Sequence, residues 1–388
     1  MRILHTSDWH IGKRLERHDR MAEHAAAIDE VVAVADAEDV DLVVHSGDLF
    51  DRPTPPVEAL RLALDGLVRL ARKGGRSVVV VAGNHDSPEL FETLSPFLVP
   101  FGVHLVGRIK APDDGGIISI ETGSGRAQVA CFPFLRAAQT VDFMAKVDSW
   151  YGAYADRVRR LTEQYAEALA DHAGEGDVTL LVAHFMVGGV KVRTGVPRGE
   201  RELHLGEAYA ATEQAVPTTV DYVAMGHIHA PQSVPGAPVP AEYAGSLLQL
   251  DFGEAGEEKR VVVVDAKPGI HAGTLSVPVT AGRRLVQASG AWSEIAARND
   301  LDDAFLDLTV ATDGPEPGLM DRARERFPYV VKVRAEYERV EVIQRGEVGR
   351  PLDELYAEYH AEAHAASPPD DLMGLFREIA DEVDRAAT

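Results

Sequence analysis

Seven side chains that can bind a metal ion follow short apolar segments of this sequence. They are Asp8, His10, Asp48, Asn84, His184, His227 and His229. Carboxylate and amide oxygens suit magnesium and manganese, and imidazole nitrogens suit zinc and iron. Each group stands where an apolar run gives way to polar residues, as at the end of a β-strand, and binding sites are commonly built on loops that a rigid sheet positions. The pattern therefore predicts a metal centre.

The spacing of two ligand pairs adds to this prediction. Residues two apart in an extended strand point to the same face, so Asp8 and His10 are predicted to converge on one cavity. The same argument applies to His227 and His229. A carboxylate such as Asp48 can bridge two cations about 3.5–4 Å apart, the separation typical of two-metal hydrolytic sites. The sequence thus favours a two-metal phosphoesterase.

Each feature has an ordinary structural alternative when it is taken alone. A lone buried histidine such as His184 is more often a hydrogen-bonded core residue than a ligand. Residues 8–10 are also compatible with a polar strand end, and residues 83–86 with a turn, because glycine, asparagine and aspartate are turn formers. Five such segments in one chain, each after an apolar run, favour the metal centre.

The elements that must position these groups alternate between strands and helices. The apolar runs before the ligands are short and aliphatic, which is typical of strands covered on both faces. Helical patterns near residues 20–38, 57–72 and 87–98 alternate with them, so the fold class is α/β. Residues 116–132 predict two strands joined by a turn, and therefore a mixed sheet. Further strand-like runs over 241–279 are consistent with two packed sheets.

The sequence changes character after residue 281. A strand at 304–310, a helix at 319–326 and a strand at 329–335 predict a small α/β cap. Two amphipathic helices separated by Pro368-Pro369 follow the cap. Their apolar stripes consist of Leu352, Leu355, Tyr356 and Tyr359, and of Leu372, Leu375, Phe376, Ile379 and Val383. Such stripes usually pack on their own domain, and the alternative is a surface that binds a partner.

The ligand motifs resemble those of the calcineurin-like metallophosphoesterases. The motifs of that superfamily run Asp-x-His, Gly-Asp-x-x-Asp-Arg, Gly-Asn-His-Asp/Glu, a lone His and Gly-His-x-His. The second motif is complete here in residues 47–52. Residues 5–13 and 245–254 resemble the SbcCD-type nuclease subunits, relatives of the double-strand-break repair nucleases of archaea and eukaryotes. The resemblance covers most of the chain.

This resemblance implies a calcineurin-like αββα sandwich of two mixed sheets. It implies a nuclease domain at 1–280, an α/β capping domain at 281–345 and a helical segment at 346–388 that binds an SMC-like ATPase, SbcC. The implied activities are 3′–5′ exonuclease cleavage of double-stranded DNA and endonuclease cleavage of single strands, in DNA repair, recombination and replication. Duplex ends and hairpins are the implied substrates, and a homodimer within a heterotetramer is the implied assembly.

The resemblance also implies how the ligands divide between two metal ions. One ion takes Asp8, His10 and His229, the other takes Asn84, His184 and His227, and Asp48 bridges them. The mixed oxygen and nitrogen ligands suit Mn²⁺, with iron, zinc and magnesium as alternatives. Two cations lower the pKa of a water molecule that then attacks the phosphorus in line.

Three further residues receive catalytic roles by the same resemblance. His85 would stabilise the developing charge or protonate the leaving 3′ oxygen, and Arg52 would hold a phosphate oxygen in a bidentate contact. Archaeal relatives have a second histidine three residues after the bridging aspartate, where this chain has Asp51. The phosphatase branch has aspartate there, so Asp51 would orient His85 and help to keep it protonated.

The charge balance is unusual for a protein that binds DNA. The chain has 39 basic and 62 acidic residues, a formal net charge of −23, whereas a surface that contacts phosphates is usually basic. We therefore expect a partner to supply much of the DNA affinity. Two local basic clusters are candidates for DNA contacts, with solvated loops as the alternative. The clusters are Lys13, Arg14, Arg17 and Arg20, and Lys191, Arg193, Arg198 and Arg201.

Other features of the sequence indicate where in the cell the protein is located. No apolar run approaches eighteen residues, so no transmembrane helix is expected. The ligand-bearing sequence follows Met1-Arg2 directly, and we expect no signal peptide. Because Cys131 is the single cysteine, no intramolecular disulfide can form. These features predict a cytoplasmic protein, and the resemblance implies that it is nucleoid-associated.

Two other functions are compatible with the same residues. The first is hydrolysis of a small phosphodiester or a phosphoprotein at the same metal centre. The second is a non-catalytic scaffold, which would be recognised by a missing ligand, and none of the seven is missing. Turnover of duplex ends distinguishes a nuclease from both.

Overall fold

The computed structural model describes residues 1–136, 154–190, 210–337, 351–364 and 366–386. The chain divides into two compact units, Met1–Glu336 and Tyr337–Thr388. Within the described residues, no helix is both long and apolar enough to cross a membrane.

The strands of the described residues are short and mostly buried. In chain order they are β1 Arg2–Thr6, β2 Leu42–His45, β3 Ser77–Val81, β4 Val103–Val106, β5 Ile117–Thr122, β6 Gly125–Phe132, β7 Val178–His184, β8 Met186–Val187, β9 Ala210–Ala211, β10 Tyr222–Gly226, β11 Gln232–Ser233, β12 Ala241–Tyr243, β13 Lys259–Lys267, β14 Ile270–Val279, β15 Arg284–Ala291, β16 Ala304–Ala311 and β17 Val330–Glu336.

The helices of the described residues lie mostly between these strands. They are α1 Met21–Ala37, α2 Val57–Leu70, α3 Pro88–Leu98, α4 Tyr154–His172, α5 Trp292–Ala296, α6 Leu319–Arg326, α7 Leu352–His364 and α8 Asp370–Ala386. The prediction of helices near 20–38, 57–72 and 87–98 is confirmed by α1, α2 and α3. The sequence reasoning did not predict α4.

Two six-stranded mixed sheets form the centre of the first unit. The first has the order β14-β13-β1-β2-β3-β4, and the second has the order β11-β12-β10-β7-β6-β5. Strands β1 to β4 run parallel to one another. Strand β13 is antiparallel to β1, and β14 is antiparallel to β13. In the second sheet, β6, β7, β10 and β12 are parallel and the edge strands β5 and β11 are antiparallel. The predicted mixed sheets are confirmed.

Alternate residues of the strands face different layers. In β2, Leu42 and Val44 pack between the two sheets, whereas Val43 packs against the helices that cover the first sheet. In β7, Leu180 faces the other sheet, and Leu181 faces α4. Because both faces of β2 and β7 are buried, most of their positions are apolar, which explains the aliphatic runs. The layers are therefore helix, sheet, sheet and helix, the predicted αββα sandwich.

A smaller sheet follows the sandwich. Strands β15, β16 and β17 are parallel to one another and have the order β15-β16-β17, and α5 and α6 complete a separate apolar core. The predicted strand, helix and strand of the cap correspond to β16, α6 and β17. The cap contacts the sandwich through a small cluster that contains Leu15, Phe252, Leu285 and Phe305.

The second unit contains α7 and α8. The rings of Tyr356 and Phe376 stack with their centroids 4.1 Å apart and an angle of 6° between their planes. Arg377 in α8 forms an ion pair with Asp353 in α7, with 2.9 Å between Nη2 and Oδ2. The two predicted amphipathic helices therefore contact each other.

Candidate metal centre

The seven predicted ligands lie at the carboxyl ends of five parallel strands. Asp8 and His10 follow β1, Asp48 follows β2, and Asn84 follows β3. In the second sheet, His184 is the last residue of β7, and His227 and His229 follow β10. The carboxyl ends of parallel strands meet at one edge of a sheet, where ligands of open α/β folds commonly bind. The two sheets thus contribute ligands to the same place.

The local conformation at Asp8 and His10 differs from the prediction. Neither residue lies in an extended strand, because φ is +50° at Asp8 and +45° at His10. Asp48 and His227 also have positive φ, +54° and +96°. The ligands therefore converge through left-handed turns after the strands have ended, and the period-two argument was wrong. Such conformations cost energy and are concentrated at functional sites, where the surrounding structure holds them.

Two positions directly before ligand residues require glycine, because other ligand side chains lie too close for a Cβ atom. A Cβ atom at Gly83 would lie 2.1 Å from Oδ1 of Asp48, and one at Gly47 would lie 2.2 Å from Nδ1 of His184. Gly47 also has φ of +108°, a conformation that favours glycine. The glycines of the Gly-Asp and Gly-Asn motifs therefore let ligands from neighbouring strands approach one another.

One group of ligands contains Asp8, His10 and His229. One ligand atom from each lies within 4.8 Å of the others. The Nε2 atoms of His10 and His229 face each other at 3.1 Å. Asp8 is fully buried, and burial raises the pKa of its carboxyl. A cation between two imidazole nitrogens and a buried carboxylate would satisfy all three groups.

The second group is centred on the side-chain oxygen of Asn84. Nε2 of His184 lies 3.0 Å from this oxygen, and Nδ1 of His227 lies 2.9 Å from it. The oxygen and two nitrogens are the ligand types that were predicted for the second ion.

The Asp48 carboxylate lies between the two groups. Its Oδ2 atom is 3.5 Å from Nε2 of His10 and 3.4 Å from Nε2 of His184. Burial opposes the charged form, but His184 and His10 outweigh burial and hold the pKa of the Asp48 carboxyl well below its usual range. Burial also lowers the pKa of His184, yet Asp48 and Asp8 raise it to about 9. This concentration of negative charge favours cations, which compete with protons for the same nitrogens.

Hydrogen bonds at Nδ1 fix the tautomers of His184 and His229. Nδ1 of His184 lies 2.7 Å from the backbone carbonyl of Ser46, and Nδ1 of His229 lies 2.8 Å from Oε1 of Glu254. Because both partners accept hydrogen bonds, each Nδ1 donates its proton, and each Nε2 keeps a lone pair for a metal ion. The residues present therefore fit a two-cation centre.

His85 and Asp51 lie beside this centre in a different arrangement from the predicted one. Nδ1 of His85 donates to the backbone carbonyl of Asp51 at 2.9 Å, not to its carboxylate. The Asp51 carboxylate instead pairs with Nζ of Lys13 at 3.1 Å. The backbone N–H of His85 donates to Oδ1 of Asp48 at 2.8 Å, so His85 and the centre are directly connected. Arg52 is exposed, at the rim of the centre.

The predicted basic clusters are only partly described by the structure. Lys13 is half-buried, and Arg14 and Arg17 are exposed after the first ligand motif. Arg20 does not belong with them, because it is 1% exposed and bonds to Glu23 and the carbonyl of Gln249. The other predicted DNA contacts, Lys191, Arg193, Arg198 and Arg201, lie outside the described residues.

The sequence reasoning missed two carboxylates that support the ligands. Asp86 accepts hydrogen bonds from the backbone N–H groups of Leu49, Phe50 and Gly83, at 3.1, 2.9 and 2.8 Å. Burial, with Asp48 nearby, raises the pKa of the Asp86 carboxyl to about 7. Glu254 holds His229, as described above. Both residues stood in segments that carried the family resemblance, but their contacts arise only in the folded chain.

Comparisons with known proteins agree with this geometry. A family model described as "Calcineurin-like phosphoesterase" matches residues 1–231. The chain is 31% identical to the D subunit of nuclease SbcCD from Bacillus subtilis (strain 168), over 99% of both chains. It is 30% identical to the D subunit of nuclease SbcCD from Rhodobacter capsulatus, over 96% of this chain and 91% of that protein. The protein of the same name from Escherichia coli (strain K12) is 29% identical over 81% of this chain and 78% of its own length.

Proposed function

The chain belongs to the calcineurin-like phosphoesterases and, within them, to the family formed by the D subunits of nuclease SbcCD; it is a metal-dependent phosphoesterase, and we propose that its substrate is DNA. The observation that carries this proposal is the position of Asp48, whose Oδ2 lies within 3.5 Å of a nitrogen from each ligand group. A carboxylate so placed can bridge two cations, as two-metal phosphodiester hydrolysis requires. The names of the relatives supply the choice of a nuclease.

The finer activity follows the same family. We propose 3′–5′ exonuclease cleavage of double-stranded DNA and endonuclease cleavage of single strands, in the processing of DNA ends during repair and recombination in the cytoplasm. Mn²⁺ is the proposed metal, because the oxygen and nitrogen ligands are mixed. The proposed ligands are Asp8, His10 and His229 for one ion and Asn84, His184 and His227 for the other.

The protein's own residues would orient the substrate and move a proton. When bound by these residues, two divalent cations would lower the pKa of a water molecule and neutralise phosphate charge. His85, whose Nδ1 donates to the Asp51 carbonyl, would use its other nitrogen to deliver a proton to the leaving oxygen. The exposed Arg52 can contact a phosphate oxygen from the rim. Lys13, Arg14 and Arg17 extend that rim as proposed DNA contacts.

The variant Asp48→Asn tests the two-cation nuclease. Asparagine keeps the size of the side chain but removes the charge, so metal content and cleavage of end-labelled DNA with Mn²⁺ should fall together. The matched control is Asp265→Asn, which changes an exposed carboxylate on β13 and should behave as the parent. Two tightly bound ions in Asp48→Asn would contradict the bridging role. Cleavage by the parent of a small phosphodiester but not of DNA would favour the small-substrate alternative.

We further propose that α7 and α8 bind an SMC-like ATPase, SbcC, and that two such nuclease chains form a homodimer within a heterotetramer. Leu352 and Tyr359 of α7 and Leu375 and Ile379 of α8 are 52–64% exposed. Exposed apolar side chains at helical spacing are typical of helix-in-groove recognition. Phe376 differs from them, because it is half-buried against Tyr356.

The partner proposal is tested with the exposed residues of α8. Leu375→Asp combined with Ile379→Asp should abolish capture of the purified ATPase, because each change places a charge in an apolar contact. Metal content and hydrolysis of a small phosphodiester should remain at the parent level. Glu378→Ala, on the exposed surface of the same helix, is the control. Capture equal to that of the parent would contradict the docking role.

A further inference from the structure

A buried ionic cluster lies behind the metal ligand His229. Glu254 and Lys259 are each about 5% exposed, although isolated charges are costly to bury. Nζ of Lys259 donates to Oε2 of Glu254 at 2.7 Å and to Oε2 of Glu257 at 2.9 Å. The same ammonium donates to the backbone carbonyl of His229 at 3.1 Å. The cluster therefore contacts His229 through its backbone as well as its ring.

Both oxygens of the Glu254 carboxylate accept hydrogen bonds. Oε1 accepts from Nδ1 of His229 at 2.8 Å. Oε2 accepts from Lys259 and also from the backbone N–H of Leu250 at 3.0 Å. These two donors on one oxygen fix the orientation of the carboxylate. The other oxygen is thereby directed at His229.

We propose that Glu254 is the positioning residue of the metal centre, holding His229 as the Nδ1–H tautomer with Nε2 directed at the cation, and that Lys259 fixes Glu254 in this role. The proposal rests on the proposed two-cation function. A carboxylate behind a metal-binding histidine fixes the ring and increases its basicity, and the loss of such a partner typically costs about 10–100-fold in metal affinity.

An amide cannot replace this carboxylate. Glutamine offers one accepting oxygen, whereas position 254 must accept from His229 on one side and from Lys259 on the other. If the oxygen faces Lys259, the NH₂ group faces Nδ1 of His229 and can only donate to it. His229 then moves its proton to Nε2, which is the nitrogen that the cation needs.

The test compares Glu254→Gln with Glu257→Gln. Both remove one carboxylate partner of Lys259, but it is the Glu254 carboxylate that holds Nδ1 of His229. Calorimetric titration with Mn²⁺ should show that Glu254→Gln binds one of the two ions about 10–100-fold more weakly, with the other ion unaffected. Glu257→Gln should bind both ions as the parent does. A second readout is the rise in unfolding temperature on adding Mn²⁺, which should shrink only in Glu254→Gln.

The outcomes separate this proposal from the proposed function. The positioning role would be overturned if Glu254→Gln bound Mn²⁺ as tightly as the parent does, or if Glu257→Gln lost as much affinity for Mn²⁺. In either case the proposed function would stand, provided that the parent binds two ions and cleaves DNA. A parent chain that binds no divalent ion would overturn the function itself. If Glu254→Gln does not fold, Glu254→Asp keeps the charge against Lys259 and withdraws the carboxylate by one methylene. Parent-like affinity in that variant would also overturn the proposal.

Discussion

The imidazole groups at the metal centre have similar partners at their second nitrogens but differ in position. His184 donates to a backbone carbonyl and His229 to a carboxylate, so both present a lone pair to the centre. His85 also donates through Nδ1 to a carbonyl, but it belongs to neither of the two proposed ligand groups. Its ring instead lies edge-on to that of His10, with centroids 4.8 Å apart. Position within the site is thus the basis for proposing that His85 transfers a proton and that His184 and His229 bind metal.

The variant His85→Ala tests this separation. Loss of a general acid or base typically lowers the rate by about 10²–10⁴-fold, and we expect a fall in kcat of that size on end-labelled DNA. Metal content should remain at the parent level, because the ligands keep their own partners. Loss of one metal equivalent would show that His85 is a ligand.

At the residue scale, the sequence predicted the seven groups that the fold brings together. Their types and positions after apolar runs were sufficient, because the ligands that first-row metals accept are few. The sequence did not predict how Asp8 and His10 converge, because left-handed turns have no period that a sequence displays. It also did not predict Glu254, since its contact with His229 depends on a turn that the neighbouring Asp251 stabilises.

Two strands with two-sided burial were predicted, whereas one weakly buried strand and one well-buried helix were missed. Strands β2 and β3 consist almost wholly of buried aliphatic residues, and both were predicted. In β15, only Leu285 and Ala288 are buried, and its sequence includes serine and glycine. Helix α4 buries Val158, Leu161, Tyr165 and Leu169 at helical spacing, so its signal was present but was not used.

The junction between sandwich and cap depends on a few aromatic residues, and Phe305→Ala tests it. Phe305 is 1% exposed and packs with Leu15, Phe252 and Leu285, and the guanidinium of Arg283 lies 5.2 Å from its ring centroid. Truncation of a buried phenylalanine costs about 3–5 kcal/mol of unfolding free energy. Urea unfolding should show a loss of this size. Leu275→Ala, at an apolar position that is 51% exposed on β14, is the control and should change stability by less than about 0.5 kcal/mol.

At the scale of the whole molecule, the net charge does not describe the charge around the metal centre. The net charge of −23 is a property of the whole chain, whereas Lys13, Arg14 and Arg17 stand together beside the metal centre. Local potential at a site depends on such groups and on bound cations more than on the total. An acidic chain can therefore hold phosphate at one basic rim, and its affinity for DNA should depend on divalent ions.

Buried neutral histidines make the stability of the whole molecule dependent on pH. Burial lowers the pKa of His5 and of His45 to about 3. Burial, with Arg20 nearby, lowers the pKa of His24 to about 4 from the usual 6.5. The unfolded chain binds protons at these residues below pH 6.5, and the folded chain does not. Stability is therefore full above pH 6.5 and falls as the pH decreases towards the folded pKa values.

His24 is the residue of this set that lies away from the metal ligands, and His24→Gln tests the linkage. Each such histidine contributes up to about 1.4 kcal/mol per pH unit to the slope of stability. Between pH 6.5 and about 4, the unfolding free energy of His24→Gln should therefore fall less steeply than that of the parent. The two slopes should differ by no more than the value for one proton. Urea unfolding at several pH values measures both slopes. His271→Gln, at an exposed position on β14, should keep the parent slope, and an unchanged slope in His24→Gln would contradict the assignment of His24 as a buried neutral group.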